Sequence, residues 1–169
     1  LDVSDMTIRR DLDELDKAGK IVRIHGGAQS MSYSINQELS HSEKQELQIE
    51  EKRKIVQLAS TYINDGDTIF LGPGTTIELL AHFLVNKHIR IVTNNYPAFE
   101  ILKQSDSVNL ILTGGDFRKN TGALVGPITN TNLKRINFTK AFISANGIHN
   151  ESICTYNIEE GEAQEIALN

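Results

Sequence analysis

Gly72-Pro73-Gly74-Thr75-Thr76 sets small, hydroxyl-rich residues between the apolar run Thr68–Leu71 and the run of helix-forming residues that follows Thr76. A turn of this kind lets backbone N–H groups converge on an anion at a helix N-terminus. Thr75 and Thr76 add hydroxyl donors. Pro73 has no N–H, so the cradle rests on Gly74, Thr75, Thr76 and Ile77. No Gly-Lys-Ser/Thr follows, which excludes a nucleotide-binding P-loop. A phosphate cradle and a plain tight turn are the two readings.

Two further glycine- or asparagine-rich ends follow apolar runs. Thr93-Asn94-Asn95 closes "IRIVTNN", and Gly114-Gly115-Asp116-Phe117-Arg118 closes "VNLILTGG". A Gly pair admits a ligand close to the backbone. Arg118 suits a phosphate or an acid, and it equally suits a surface ion pair. Ser144, Asn146 and Gly147 end the next apolar run and can face the same crevice. Glu159, Glu160 and Glu162 read as a solvated helix face.

A second constellation lies near the start, in "SDMTIRRDLDELDKAGKIVRIHGGA", residues 4–28. Ser4, Thr7, Arg9 and Arg10 occupy the first two turns of a helix whose later turns carry Asp11, Asp13, Glu14 and Asp16. Residues 1–28 hold five Lys/Arg and six Asp/Glu, so the segment is polar end to end rather than basic. A helix that enters a DNA major groove by its N-terminus needs cations and hydroxyls there and can carry acids at its far end. Arg reads guanine with two hydrogen bonds. Arg23 and His25 then approach a Gly-Gly turn, as in a wing reaching the neighbouring backbone. An amphipathic surface helix with a solvated charged face is the competing reading.

The elements that must hold these groups can be read from periodicity. Residues 4–18 form a helix capped by Ser4 and stopped at Gly19, with Ile8, Leu12 and Leu15 on one face. Residues 29–42 are Ser-rich and aperiodic, a linker. Residues 43–63 read as one helix, apolar at Ile55, Leu58, Ala59, Tyr62 and Ile63. Beyond it strands and helices alternate: strands in 68–72, 89–95, 108–115 and 140–147, helices in 75–84, 96–104, 127–136 and 158–168. Near-continuous apolar strands predict an open, mostly parallel sheet covered on both faces. Ligands of such sheets lie beyond the carboxyl ends of the strands.

The 169 residues suffice for one sizeable α/β domain and a small appendage. The net charge of −5 argues against a generic nucleic-acid coat. A single cysteine, Cys154, precludes an intrachain disulfide framework; it fits a reducing cytoplasm and reads as an inert, partly buried thiol. No apolar run approaches a membrane span, so no membrane partner is expected. The five histidines, at 25, 41, 82, 88 and 149, show no metal-ligand spacing, and no cofactor is implied. Both ends, Leu1 and Asn169, fall within patterns that read as cut.

Ser4-Asp5-Met6-Thr7-Ile8-Arg9-Arg10-Asp11-Leu12, followed by Arg23-Ile24-His25-Gly26-Gly27-Ala28, resembles the DeoR family of bacterial repressors. The resemblance implies that residues 1–28 are the recognition helix and wing of a winged helix-turn-helix that binds operator DNA, the remnant of a domain whose first two helices would precede them. It also implies that residues 43–169 are a sensor domain, C-terminally incomplete and related to ribose 5-phosphate isomerase and glucosamine 6-phosphate deaminase. Family members continue to a further strand and an Asp-Ser/Thr-Lys segment whose lysine helps bind phosphate. By the same resemblance Gly72, Gly74, Thr75 and Thr76 hold the phosphate of a sugar-phosphate effector. Asn94, Gly114, Gly115 and Arg118 lie around its sugar. "DGDTIFLGPGTT", "ALVGPITNTNLK" and "KAFISANGIHN" are most similar to the lactose-utilisation branch, which implies tagatose 6-phosphate. A homo-oligomer is expected, because paired half-sites suit paired winged helices.

An isomerase or deaminase of the same fold is the alternative. Sugar isomerisation requires a general base, which the isomerases take from an Asp-Gly-Ala-Asp type segment. Here that place reads Ser144-Ala145-Asn146-Gly147-Ile148-His149-Asn150. Neutral Asn146 can hydrogen-bond a hydroxyl but cannot serve as a carboxylate base. His149 can titrate, though a lone His in a polar loop is ordinarily just solvated. A regulator without catalytic residues is expected.

Overall fold

In the computed structural model, which describes residues 4–24, 27–30, 38–150 and 152–169 (backbone alone for 29 and 30), Ser4 caps helix α1 (Asp5–Lys17). The Ser4 hydroxyl accepts from the Thr7 N–H at 3.3 Å. At the other end Gly19 takes the left-handed conformation, φ +65°. The Gly19 and Lys20 N–H groups return to the Asp16 and Leu15 carbonyls, which satisfies the final helix acceptors. Strand β1 (Ile21–Ile24) pairs antiparallel with β2 (Gly27–Ser30). Ile8 and Leu12 of α1 share a shallow groove with Ile24 and Gly27 of this hairpin. These elements belong to a first unit, residues 1–39; residues 40–169 form a second. The segment expected as a linker, 29–42, carries structure at both ends. β2 runs to Ser30, and helix α2 (His41–Gln45) starts behind a capping box between Ser40 and Glu43.

The expected single helix over 43–63 is two helices. α2 ends at Gln45, Gln48 adopts φ 54°, ψ 41°, and α3 (Ile49–Thr61) begins afresh. Val56 and Ile63 take the buried positions, while Ile55, Leu58 and Tyr62 stay exposed. The sheet core then follows in order: β3 (Thr68–Leu71), α4 (Thr75–His82), β4 (Arg90–Thr93), α5 (Tyr96–Leu102) and β5 (Asn109–Leu112). After it come the hairpin β6 (Asp116–Arg118) and β7 (Ala123–Val125), α6 (Pro127–Leu133) and β8 (Lys140–Phe142). The hairpin β9 (Gly147–His149) and β10 (Ser152–Cys154) precedes α7 (Ile158–Leu168). Neither hairpin was anticipated. Cys154 lies exposed on β10, not partly buried, because that hairpin stands clear of both core clusters.

Four strands form a parallel sheet in the order β5-β4-β3-β8. Alternation along each strand sorts side chains to two faces. Ile69, Leu71 and Ile91 join Val56 of α3, Leu80 of α4 and Leu102 of α5 in one core. Phe70 and Val92 join Leu133 of α6 and Ala163 of α7 in the other. The sheet is thus buried on both faces, the α/β arrangement expected. β3 connects onward to β4 on one side and lies against β8 on the other. The strand order therefore reverses between β3 and β8, and a crevice opens beyond their carboxyl ends at such a point.

Candidate functional site

The loop after β3 is shaped by the side chains around it. Gly72 continues the pairing with β8: its N–H donates to the Phe142 carbonyl at 2.9 Å. Asn95, at the end of β4, donates its amide Nδ2 to the Gly72 and Gly74 carbonyls at 3.1 and 3.2 Å, and its Oδ1 caps α5 at Ala98. Both loop carbonyls are therefore engaged by Asn95. Gly74 is the N-cap of α4 at φ +122°, and a Cβ there would stand 2.4 Å from the Ser144 hydroxyl. The first N–H groups of α4, on Thr75, Thr76 and Ile77, have no intrahelical acceptor.

This loop opens on a cavity of about 590 Å³ between the carboxyl ends of β3 and β8. Pro73, Gly74, Thr75 and Thr76 line it together with Ser144 and Asn146 from the loop after β8. Of the residues expected to hold phosphate, the structure brings Gly74, Thr75 and Thr76 to one wall. Gly72 stands behind them, its N–H spent on the sheet, so it is not a donor to the cavity. Asn146 lines the cavity while its Oδ1 accepts from the Tyr156 N–H at 2.9 Å.

The other expected sugar contacts lie elsewhere. Asn94 is fully buried and donates Nδ2 to the Leu124 carbonyl at 2.9 Å, a tie between β4 and β7. Gly114 and Gly115 border α6, where a Cβ on Gly115 would stand 2.3 Å from the Thr129 hydroxyl and 2.5 Å from the Val125 carbonyl. Close packing accounts for this glycine. Arg118 Nη1 pairs with Glu160 Oε1 at 2.5 Å. Glu160 in turn is not on a solvated face. It is 6% exposed, takes a second hydrogen bond from the Thr121 hydroxyl at 2.5 Å, and lines the cavity. Its period shows why: 160, 163, 164 and 167 share one side of α7, and Ala163 and Ala167 are core residues. Glu159 and Glu162 are exposed as expected.

Lys52 and His41 are among the cavity groups that local sequence chemistry does not reveal. Lys52 reaches from α3, one turn before buried Val56, and donates to the Thr75 hydroxyl oxygen at 2.8 Å. It also donates to the Lys44 and Gln45 carbonyls at the end of α2. Burial pushes the Lys52 ammonium below the ordinary lysine range, and the nearby Glu78 carboxylate opposes that push. His41 Nε2 meets Glu78 Oε2 at 2.6 Å, so Glu78 of α4 fastens α2 beside the cradle. The spacing Lys52-Val56-Ala59-Ile63 was the available signal for Lys52, since it places the lysine on the buried stripe of α3.

In the first unit, Ser4, Thr7, Arg9 and Arg10 lie on the opening turns of α1. The Ser4 and Thr7 hydroxyls share a 3.0 Å hydrogen bond. Arg9 and Arg10 are exposed, and Arg10 stands 4.0 Å from Asp11. Arg23 folds back along α1, with Nη1 3.2 Å from Asp13 Oδ1 and 3.5 Å from the Arg9 carbonyl. His25 lies outside the described residues. Among the described residues no His/Cys/Asp/Glu group is arranged to hold a metal ion, and no helix is long and apolar enough to cross a membrane.

An N-terminal helix with a hairpin in one unit and a parallel α/β sheet with a cavity at its switch point in the other give the chain a two-part organisation. The chain belongs to the DeoR family: residues 1–34 match the DeoR-like helix-turn-helix domain and residues 47–169 the DeoR C terminal sensor domain. Among curated relatives it is similar to the lactose phosphotransferase system repressor of Lactococcus lactis subsp. lactis, 48% identical over 172 residues, covering 100% of this chain and 68% of that protein. Proteins of the same name from Streptococcus mutans and Staphylococcus epidermidis are 46% and 47% identical over 170 residues, 99% of this chain and 68% of each.

Proposed function

We propose that this chain is part of a transcriptional repressor of a sugar catabolic operon, released from its operator by a sugar phosphate, tagatose 6-phosphate. The observation that carries the reading is the wall of Gly74, Thr75 and Thr76, whose helix N-terminus and adjacent Lys52 face a cavity of about 590 Å³, within the range of small-molecule sites. The reading includes kinship of the sensor fold with ribose 5-phosphate isomerase, which a cradle placed after the first strand of a parallel sheet supports. The names of the relatives support the lactose assignment.

The operator would be read by the opening turns of α1, with Arg9 and Arg10 toward base edges and phosphates and the hairpin beside them. A homo-oligomer would present paired helices to paired half-sites. The effector releases DNA to the extent that it binds the low-affinity conformation better than the DNA-competent one. The test is a gel shift of the full protein on DNA from upstream of its own gene cluster, with a panel of sugar phosphates. Release by tagatose 6-phosphate alone, with the sugar recovered unchanged, is expected. Release by a different sugar phosphate removes the lactose assignment, and turnover of the sugar removes the repressor-only reading.

A further inference from the structure

The cavity has two chemically different walls. α3 and α4 cover one face of the sheet and α7 the other, so Lys52, Thr75 and Thr76 approach the cavity from one side and Glu160 and Gln164 from the other. The first wall combines a cation with a helix N-terminus and attracts an anion. On the second wall the Glu160 charge is already met by Arg118, which leaves little attraction for phosphate. It offers directed polar groups instead. Both bonds received by the Glu160 carboxylate, from Arg118 and Thr121, land on Oε1, so Oε2 remains an acceptor. Gln164, one turn along the same helix, is 5% exposed and lines the cavity. Its amide has no hydrogen-bond partner among the described residues. Its polar atoms are not among those sealed from solvent, so the amide is open to hydrogen-bond whatever fills the cavity.

Resting on the sugar-phosphate reading above, we infer that Glu160 and Gln164 form the hydroxyl-reading subsite that sets which sugar is accepted, with Arg118 and Thr121 as positioning residues for Glu160. Residues four apart on a helix are neighbours, so one sugar hydroxyl can donate to Glu160 Oε2 while accepting from the Gln164 amide. A hydroxyl of inverted configuration meets only one of the two and leaves the other buried and unpaired. Such a mismatch discriminates strongly. The phosphate, held at the Thr75 wall, fixes the end from which the sugar is read.

The experiment is calorimetric binding to the full protein of inorganic phosphate, tagatose 6-phosphate and its C4 epimer fructose 6-phosphate, for wild type, Gln164→Leu and Gln164→Asn. Gln164→Leu keeps the volume and removes the amide, and unchanged melting temperatures confirm folding. Expected is a tenfold or greater fall, in both variants, of the ratio of sugar-phosphate to inorganic-phosphate affinity for the preferred epimer. A ratio within twofold of wild type in both variants overturns the subsite. Wild type that binds none of the three probes overturns the sugar-phosphate reading itself, and the subsite with it.

Discussion

The ammonium of Lys52 and the hydroxyl of Thr75 lie 2.8 Å apart, so a side chain from α3 puts positive charge at the first turn of α4. The Lys44 and Gln45 carbonyls occupy its remaining hydrogens. Lys52 therefore acts on an anion mainly through its charge. Lys52→Met should weaken sugar-phosphate binding about 10- to 100-fold, the equivalent of ~1.5–3 kcal/mol for a charged partner. Lys52→Arg should restore part of it, and operator affinity without effector should hold. Calorimetry beside a gel shift measures both.

The same lysine predicts a pH dependence. Burial lowers its folded pKa, whereas a bound anion favours the charged form and raises it. Binding is then linked to proton uptake on the alkaline side, and affinity falls as pH rises through the folded Lys52 value. In Lys52→Met that alkaline decline should disappear; its persistence would assign the titration to another group.

Operator and effector determinants should separate. Arg10→Ala should remove operator binding and spare sugar-phosphate binding. Thr75→Ala combined with Thr76→Ala should retain operator binding and lose release by effector, giving a repressor that cannot be induced. Loss of both activities in both variants would refute the assignment of two sites.

Gly74→Ala and Gly115→Ala should fail differently. Each glycine has a positive φ and no room for a Cβ, so each substitution should cost ~1–3 kcal/mol. At Gly115 the obstacles are Thr129 and the Val125 backbone, far from the cradle loop in the chain. The protein that remains folded at low temperature should bind sugar phosphate normally. Gly74→Ala displaces Ser144 and the cradle, and should lose binding even where it stays folded. Melting curves paired with titrations at 10 °C distinguish the cases.

Acid should loosen the base of the sheet through Asp67. Its carboxylate accepts from Lys140 Nζ at 2.6 Å and from the Asn64 N–H and Thr139 hydroxyl. These bonds, Lys140 first, hold its pKa below the usual range. The stabilisation is therefore complete above the unfolded carboxylate value, ~3.9, and is lost as pH falls through the lower folded value. Asp67→Asn should be less stable near neutrality by ~1–3 kcal/mol. It should also show a shallower acid limb when unfolding is followed against pH.

The fold was legible where one signal dominated. Apolar runs gave the four parallel strands, and Ser4 with Gly19 marked both ends of α1. The break at Gln48 was not legible, because the pattern of charged and apolar residues continues through it; the carbonyls it frees are satisfied by Lys52, a tertiary contact. The hairpins β6–β7 and β9–β10 were hidden for a related reason, their strands being three residues long. Within the site, Thr75 and Thr76 follow from local chemistry. Asn94 and Asn95 stand side by side, and their roles diverge only once the sheet exists, when alternation turns one toward β7 and the other toward the cradle. Glu160 is not legible because exposed Glu159 and Glu162 give its helix a charged pattern that masks the Ala163–Ala167 stripe that buries it.

The Asn95 amide that holds the Gly72 and Gly74 carbonyls has a kinetic meaning. A glycine-rich loop left to itself samples many shapes, and a guest must wait for the right one. Here the wait is over before the guest arrives, because the cost of stilling those glycines was met when the chain folded. Capture of the proposed phosphate at this loop should therefore be limited by encounter and not by rearrangement. Asn95→Ala should reveal this as slower association, with the dissociation rate less affected.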